Sequence, residues 1–190
     1  AMKIGPYEFE AFVEKVRVFH GSVAPGIIAG GIMVDIARDH LPEGGFFDAI
    51  CETGHCLPDA VQLLTPCTIG NRWLKIVDTS RYALALYNKY TGEGIRVFLD
   101  ARKLDGWPAI RSWFLKERPK KDQDPGEILD ELRRAGRRIF STQRVRVKPE
   151  FVADPGKERP AVGICPACGE AYRKNLGDAC PACRGKGPYL

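Results

Sequence analysis

No stretch of this sequence approaches the eighteen or more uninterrupted apolar residues that a membrane-spanning helix needs. The N-terminal region also lacks a basic segment leading into an apolar core and a small-residue cleavage site. Both absences lead us to expect a soluble cytoplasmic protein without a membrane partner. There is no internal repeat apart from one duplicated tetrapeptide, Cys-Pro-Ala-Cys. Histidine is scarce: there are three, so each can be weighed singly as a ligand.

What is present is a chain of 190 residues, 44% of them hydrophobic, enough for one medium-sized core and a small satellite module. The net charge of +5 is unevenly spread. Residues 1–100 carry nine Lys/Arg against twelve Asp/Glu, residues 101–150 fourteen against eight, and the remainder six against four. A basic middle suits either a solvated helix face or an acidic partner such as nucleic acid.

Seven cysteines paired as disulfides would leave one thiol over, and their spacing argues for metal-bound thiolates in a reducing compartment instead. Cys165 and Cys168 form one Cys-x-x-Cys knuckle, Cys180 and Cys183 the other, with eleven residues between. Four soft thiolates in two pairs can wrap the edges of a tetrahedron around a structural zinc, and they leave no open position for catalysis. An iron site or a redox dithiol pair is the alternative. A module this small has too little core of its own, so the metal supplies most of its stability.

Ahead of it, periodicity and punctuation predict an α+β core: an antiparallel sheet with packed helices. Pro6 suits the first turn of a helix through Phe9, Phe12, Val13 and Val16 that ends near His20-Gly21. A second helix runs through Ala29, Ile32, Met33, Ile36 and Ala37 to about His40, which serves as a surface or capping residue. Gly30 and Gly31 inside it cost about 1 kcal/mol each against alanine, so they imply close approach of another backbone. Phe46 to Glu52 reads as a strand, Pro58 opens a helix, and strands follow at Leu74 to Asp78, Tyr82 to Asn88 and Ile95 to Asp100. Trp107 to Glu117 reads as a helix with both tryptophans in the core. Asp124 caps a helix from Pro125 through Ile139, its acids early and its arginines late, as the helix dipole favours. A strand around Arg144 to Lys148 completes the core over residues 1–153. A charged Pro/Gly linker spans 154–162 and a zinc ribbon 163–190.

A second constellation comprises His20, His55, Cys56 and Cys67, with Cys51, Glu52 and Asp59 nearby. One imidazole and two thiolates, His20, Cys56 and Cys67, make a soft donor set for a second zinc with a free fourth position. His55 is a substitute ligand, and Asp59 or Glu52 a candidate base. Alternatively, Cys56 and Cys67 are small buried hydrophobes and His20 a turn residue. Asn71 either presents its amide to the cleft or shapes its own turn.

Phe19-His20-Gly21 with Pro25-Gly26, the segment Cys56-Leu57-Pro58-Asp59-Ala60-Val61-Gln62, and Cys67-Thr68-Ile69-Gly70-Asn71 followed by Leu74-Lys75 resemble the FmdE family of formylmethanofuran dehydrogenase components over about residues 8–150. The four-cysteine ribbon resembles that of the family's longer members. Where that family places a second histidine and a cysteine after His20, this chain has Ser22 and Ala24, and Pro66 replaces a glycine. The resemblance implies a compact α+β core, a cleft lined by these residues, a homodimer, and an accessory role beside oxidoreductase subunits in one-carbon metabolism. It does not imply that this chain carries the molybdenum or tungsten active site. A competing reading is a zinc-ribbon regulator of nucleic acid or RNA polymerase using the arginine-rich helix. A third is a zinc hydrolase working in the core cleft.

Overall fold

The computed structural model describes residues 2–41, 45–152 and 160–189. Two compact units divide the chain, Ala1–Val152 and Ala153–Leu190. Residues 154–159 of the expected linker lie outside the described residues.

The first unit opens with a two-residue hairpin, β1 (Lys3–Ile4) and β2 (Tyr7–Glu8), turned at Gly5-Pro6. Pro6 therefore makes a turn and starts no helix. Helix α1 (Phe9–His20) begins three residues later and ends at Gly21, whose φ of 84° is a left-handed C-cap. Helix α2 (Pro25–Arg38) follows. It is apolar on nearly every side, and such a helix belongs in the centre of a core. His40 donates from Nδ1 to the Ile36 carbonyl at 2.7 Å, closing the last turn as a capping residue.

Strand β3 (Phe47–Cys51) leads through a short loop to α3 (Leu57–Leu64) and back to β4 (Leu74–Ile76), which lies parallel to β3. The sheet is thus mixed where an antiparallel one was expected, because a helical crossover returns the chain in the same direction. Strands β5 (Ala83–Asn88), β6 (Glu93–Leu99) and β7 (Phe140–Arg146) pair antiparallel, giving the order β4-β3-β5-β6-β7. Helix α4 (Pro108–Phe114) is shorter than the predicted segment. Helix α5 (Pro125–Ala135) starts as predicted, with Asp124 accepting from the Gly126 amide at 2.7 Å, and runs on as a tighter turn to Ile139. A final turn, α6 (Pro149–Val152), was not anticipated.

Gly30 and Gly31 of α2 make room chiefly for side chains and not for the other backbone that was expected. A Cβ on Gly30 would lie 2.8 Å from the Ala60 Cβ and 3.0 Å from Leu57, and one on Gly31 would meet the Phe12 ring at 2.7 Å. The arginines around the end of α5 are held within the fold. Arg133 pairs with Glu10 at 2.7 Å, Arg134 with Asp130 at 2.9 Å, and Arg137 with Asp39. Arg138 donates to the Ala135 carbonyl and lies over Trp107.

The second unit contains a hairpin of β8 (Val162–Ile164) and β9 (Ala171–Arg173). Strand β8 begins one residue ahead of the expected start of the ribbon at 163. A helical turn from Ala182 to Lys186 follows the second knuckle.

Candidate functional site

Cys165, Cys168, Cys180 and Cys183 present sulfurs that all lie within 4.8 Å of one another. Bonds of about 2.3 Å to a tetrahedral zinc imply sulfur separations of about 3.8 Å. Cys168 and Cys180 already stand 3.8 Å apart. Backbone amides support the sulfurs: Cys180 N–H donates to Cys165 Sγ and Cys183 N–H to Cys180 Sγ, each at 3.4 Å. Hydrogen bonds from the Cys180 and Cys168 amides pull the Cys165 thiol down to about 6, so it is ready to bind as thiolate. Cys183 is pushed up to about 12 by hydrogen bonding with Cys180 and Cys168, a crowding of thiols that a divalent cation reverses. The donor set fits a structural zinc with a filled coordination sphere.

In the first unit, the ends of α1 and α4, the starts of α2 and α5, and the β3–α3 loop surround a cleft of about 720 Å³. His20, His55 and Cys56 line it. His20 is the last residue of α1, and its Nδ1 donates to Asp59 Oδ2 at 2.7 Å, across from the first turn of α3. That bond orients the ring and leaves Nε2 as its second nitrogen for a ligand or proton. Asp59 acts through His20, since it is not itself among the lining residues.

Cys56 sits where the chain turns from β3 into α3, with φ 60° and ψ −49°. The Leu57 amide donates back to the His55 carbonyl at 2.6 Å, so Cys56 is the central residue of a γ-turn of the rare positive-φ type. Backbone strain of this kind persists only where neighbours hold it. Here the neighbour is Gly26 of α2, where a Cβ would stand 2.8 Å from both Cβ and Sγ of Cys56. The Tyr82 hydroxyl donates to the Gly26 carbonyl and closes the same corner. Burial raises the Cys56 thiol above its ordinary range; Asp59 adds to this, while Lys116 and Lys120 oppose it. Burial also holds the Tyr82 phenol protonated.

Cys67 is elsewhere. It is fully buried, its thiol donates to the Phe47 carbonyl at 3.5 Å, and burial pushes it up to about 11. Cys51 is core, as expected, and is pushed up to about 12 by burial. Among the described residues, only the four C-terminal cysteines bring three or more candidate ligand atoms together. The set His20, Cys56 and Cys67 does not gather for a second zinc in this structure.

Glu52 is not a free base. Its carboxylate receives Arg96 Nε at 2.5 Å and Nη2 at 3.0 Å, Arg81 at 2.9 Å and the Thr79 hydroxyl at 3.2 Å. Burial raises its pKa, but the Arg96 hydrogen bond and charge, with Arg81, outweigh that and hold it below the ordinary glutamate value. Asn71 shapes its turn: Oδ1 accepts from the Thr68 and Trp73 amides and Nδ2 donates to the Pro66 carbonyl. Gln62 likewise accepts from the Ile69 amide.

The sequence reading missed the opposite wall. Trp113, expected in the core, lines the cleft with Phe114, and both rings meet Tyr82 edge-on at 6.2 and 5.8 Å. Lys116, Arg118 and Lys120 continue that wall. The available signal was an aromatic pair at a helix end followed by cations at every second residue.

Residues 19–147 match the family model described as FmdE, Molybdenum formylmethanofuran dehydrogenase operon. Residues 156–190 match the FmdE treble clef zinc finger. A crystal structure of a tungsten formylmethanofuran dehydrogenase FmdE-like protein from Syntrophus aciditrophicus is 48% identical, with a TM-score of 0.92 over 100% of this chain and 99% of that one. A probable S-adenosyl-L-methionine-binding protein from Archaeoglobus fulgidus is 27% identical over 178 residues, 82% of this chain and 47% of its own length. The chain thus spans about half of that relative.

Proposed function

The chain belongs to the FmdE family, and on that premise we propose that it is a zinc-stabilised accessory protein of one-carbon redox metabolism whose core cleft receives the ligand. The observation that carries this reading is the meeting of His20 and Cys56 in one cleft, each within a segment matched by the family model. The Asp59 hydrogen bond sets the His20 tautomer so that Nε2 can accept a proton or a hydrogen bond from a bound molecule. Cys56 offers a protonated thiol on a rigid corner. The zinc module supplies structure and no chemistry, since its four thiolates leave no exchangeable position. The operon in the family description and the name of the Syntrophus relative support the link to one-carbon oxidoreductases. The name of the Archaeoglobus relative points to a sulfonium ligand, which the cationic wall of this cleft disfavours.

The test is genetic. Deleting the gene in the host organism and assaying formylmethanofuran-linked oxidoreductase activity in extracts should show a several-fold loss. The wild-type gene should restore it, and His20→Asn or Cys56→Ser, expressed at equal level, should not. Undiminished activity after deletion would sink the metabolic link.

A further inference from the structure

The cleft has an unbalanced lining. Arg81, Lys116, Arg118, Lys120, His20 and His55 all border it, and among the described residues no aspartate or glutamate does, Asp59 standing behind His20. Arg81 is neutralised by Glu52. Among the described residues, Lys116, Arg118 and Lys120 have no carboxylate partner, although the chain is rich in acids nearby. A neighbouring cavity of about 530 Å³, which shares Arg118, Gln123 and Ile128 with the cleft, collects Asp122, Asp124, Glu127, Asp130 and Glu131. The acids thus line the neighbouring cavity, together with Arg118 and Arg134, and not the cleft.

Two further features have the same sign. The first turn of α2, a fourteen-residue helix, borders the cleft through Pro25 and Gly26 and has no side-chain cap. Pro25 has no N–H and the Ile27 and Ile28 amides bond the Ala24 carbonyl, so what remains to favour negative charge there is the helix dipole with the Gly26 amide. Beside these charges stands a continuous apolar wall of Tyr82, Trp113 and Phe114, with the Lys116 ammonium 5.9 Å from the Trp113 ring centre. Aromatic faces select flat rings, and unpaired cations in a partly enclosed site select anions.

We propose that this cleft binds a small organic anion with a planar ring, the ring against Tyr82, Trp113 and Phe114 and the phosphate or carboxylate among Lys116, Arg118, Lys120 and the start of α2. This rests on the reading of the cleft as the ligand site and adds the chemical class of the ligand.

Paired probes that differ only in the anion test it on the full chain. Flavin mononucleotide is compared with riboflavin, and adenosine 5′-monophosphate with adenosine, by calorimetry at low and high salt and by quenching of Trp113 fluorescence. The phosphorylated member of each pair should bind at least tenfold tighter at low salt and lose that advantage as salt rises. Lys116→Gln with Lys120→Gln, both at exposed positions, should reduce the phosphorylated probes to the level of their neutral twins. Trp113→Phe should abolish the fluorescence response. If neutral twins bind in the cleft as tightly as the phosphorylated probes, the anion assignment is wrong and the cleft reading stands. If no probe changes Trp113 fluorescence or releases heat, both fall.

Discussion

Glu52 shows how a carboxylate near a cleft can be structural. Its side chain and that of Arg96 are 11% and 12% exposed, so removing either partner strands a charge in a poorly solvated place. Glu52→Ala should cost about 3 kcal/mol in urea unfolding, on the scale of broken buried pairs. The pH dependence has a definite sign. A folded-state pKa below the unfolded value adds stability that is fully present above the unfolded value, about 4.3 for glutamate, and is lost as pH falls through the depressed one. Asp100, held low by hydrogen bonds from Arg102 and Ser141, acts in the same direction. Urea midpoints should therefore be flat near neutrality and drop steeply below about pH 4. In Glu52→Ala that acid drop should be shallower, and an unchanged drop would mean that Glu52 does not contribute to it.

At the scale of elements, the contact between α2 and α3 sets the cleft, because it holds Gly26 and Cys56 together at one corner. The same two helices meet one turn further along at Gly30, where an added Cβ would lie 2.8 Å from Ala60. Gly30→Ala gains about 1 kcal/mol of helix propensity in isolation. Overpacking of about 1–3 kcal/mol should exceed that gain, so the variant should be less stable in chemical denaturation, with weaker binding of any cleft ligand. A more stable variant would show that α3 moves freely. The glycine pair marked a close approach in the sequence, but what approaches is chiefly the side chains of Ala60, Leu57, Phe12 and Ile4 and not the backbone expected. Helices α1, α2 and α5 were legible from their apolar spacing and capping residues, and so were the His20 and Cys56 segments. What lay beyond reach was juxtaposition. The pairing of His20 with Asp59 joins residues 39 apart, and the cleft wall arises because α4 stops at Phe114 and turns its last aromatic residues and the following cations toward Tyr82. Periodicity along one element carries no signal for such meetings. It also could not separate Cys67, whose loop is built by Gln62, Thr68 and Asn71, from the cleft that Cys56 borders.

For the molecule as a whole, the two units differ in what holds them. The first has a hydrophobic core whose buried members, among the described residues, run from Ile4 to Phe140. In the second, only Cys165 and Cys180 are buried among residues 160–189, and Val162 and Ile164 are 66% and 75% exposed. A unit with almost no apolar burial cannot offset its own chain entropy, so the thiolate–metal bonds must do so. Elemental analysis should find one zinc per chain, and prolonged chelation should remove it. Trypsin should then cut rapidly at Arg173, Lys174, Arg184 and Lys186, while the fragment ending near Val152 stays resistant and keeps its urea transition. Added zinc should restore protection. Resistance of the C-terminal unit after complete zinc removal would contradict a metal-held fold. A second zinc that survives chelation would place an ion in the core, and His20, Cys56 and His55 would be the residues to replace first, since Cys67 is committed to the Phe47 carbonyl away from the cleft.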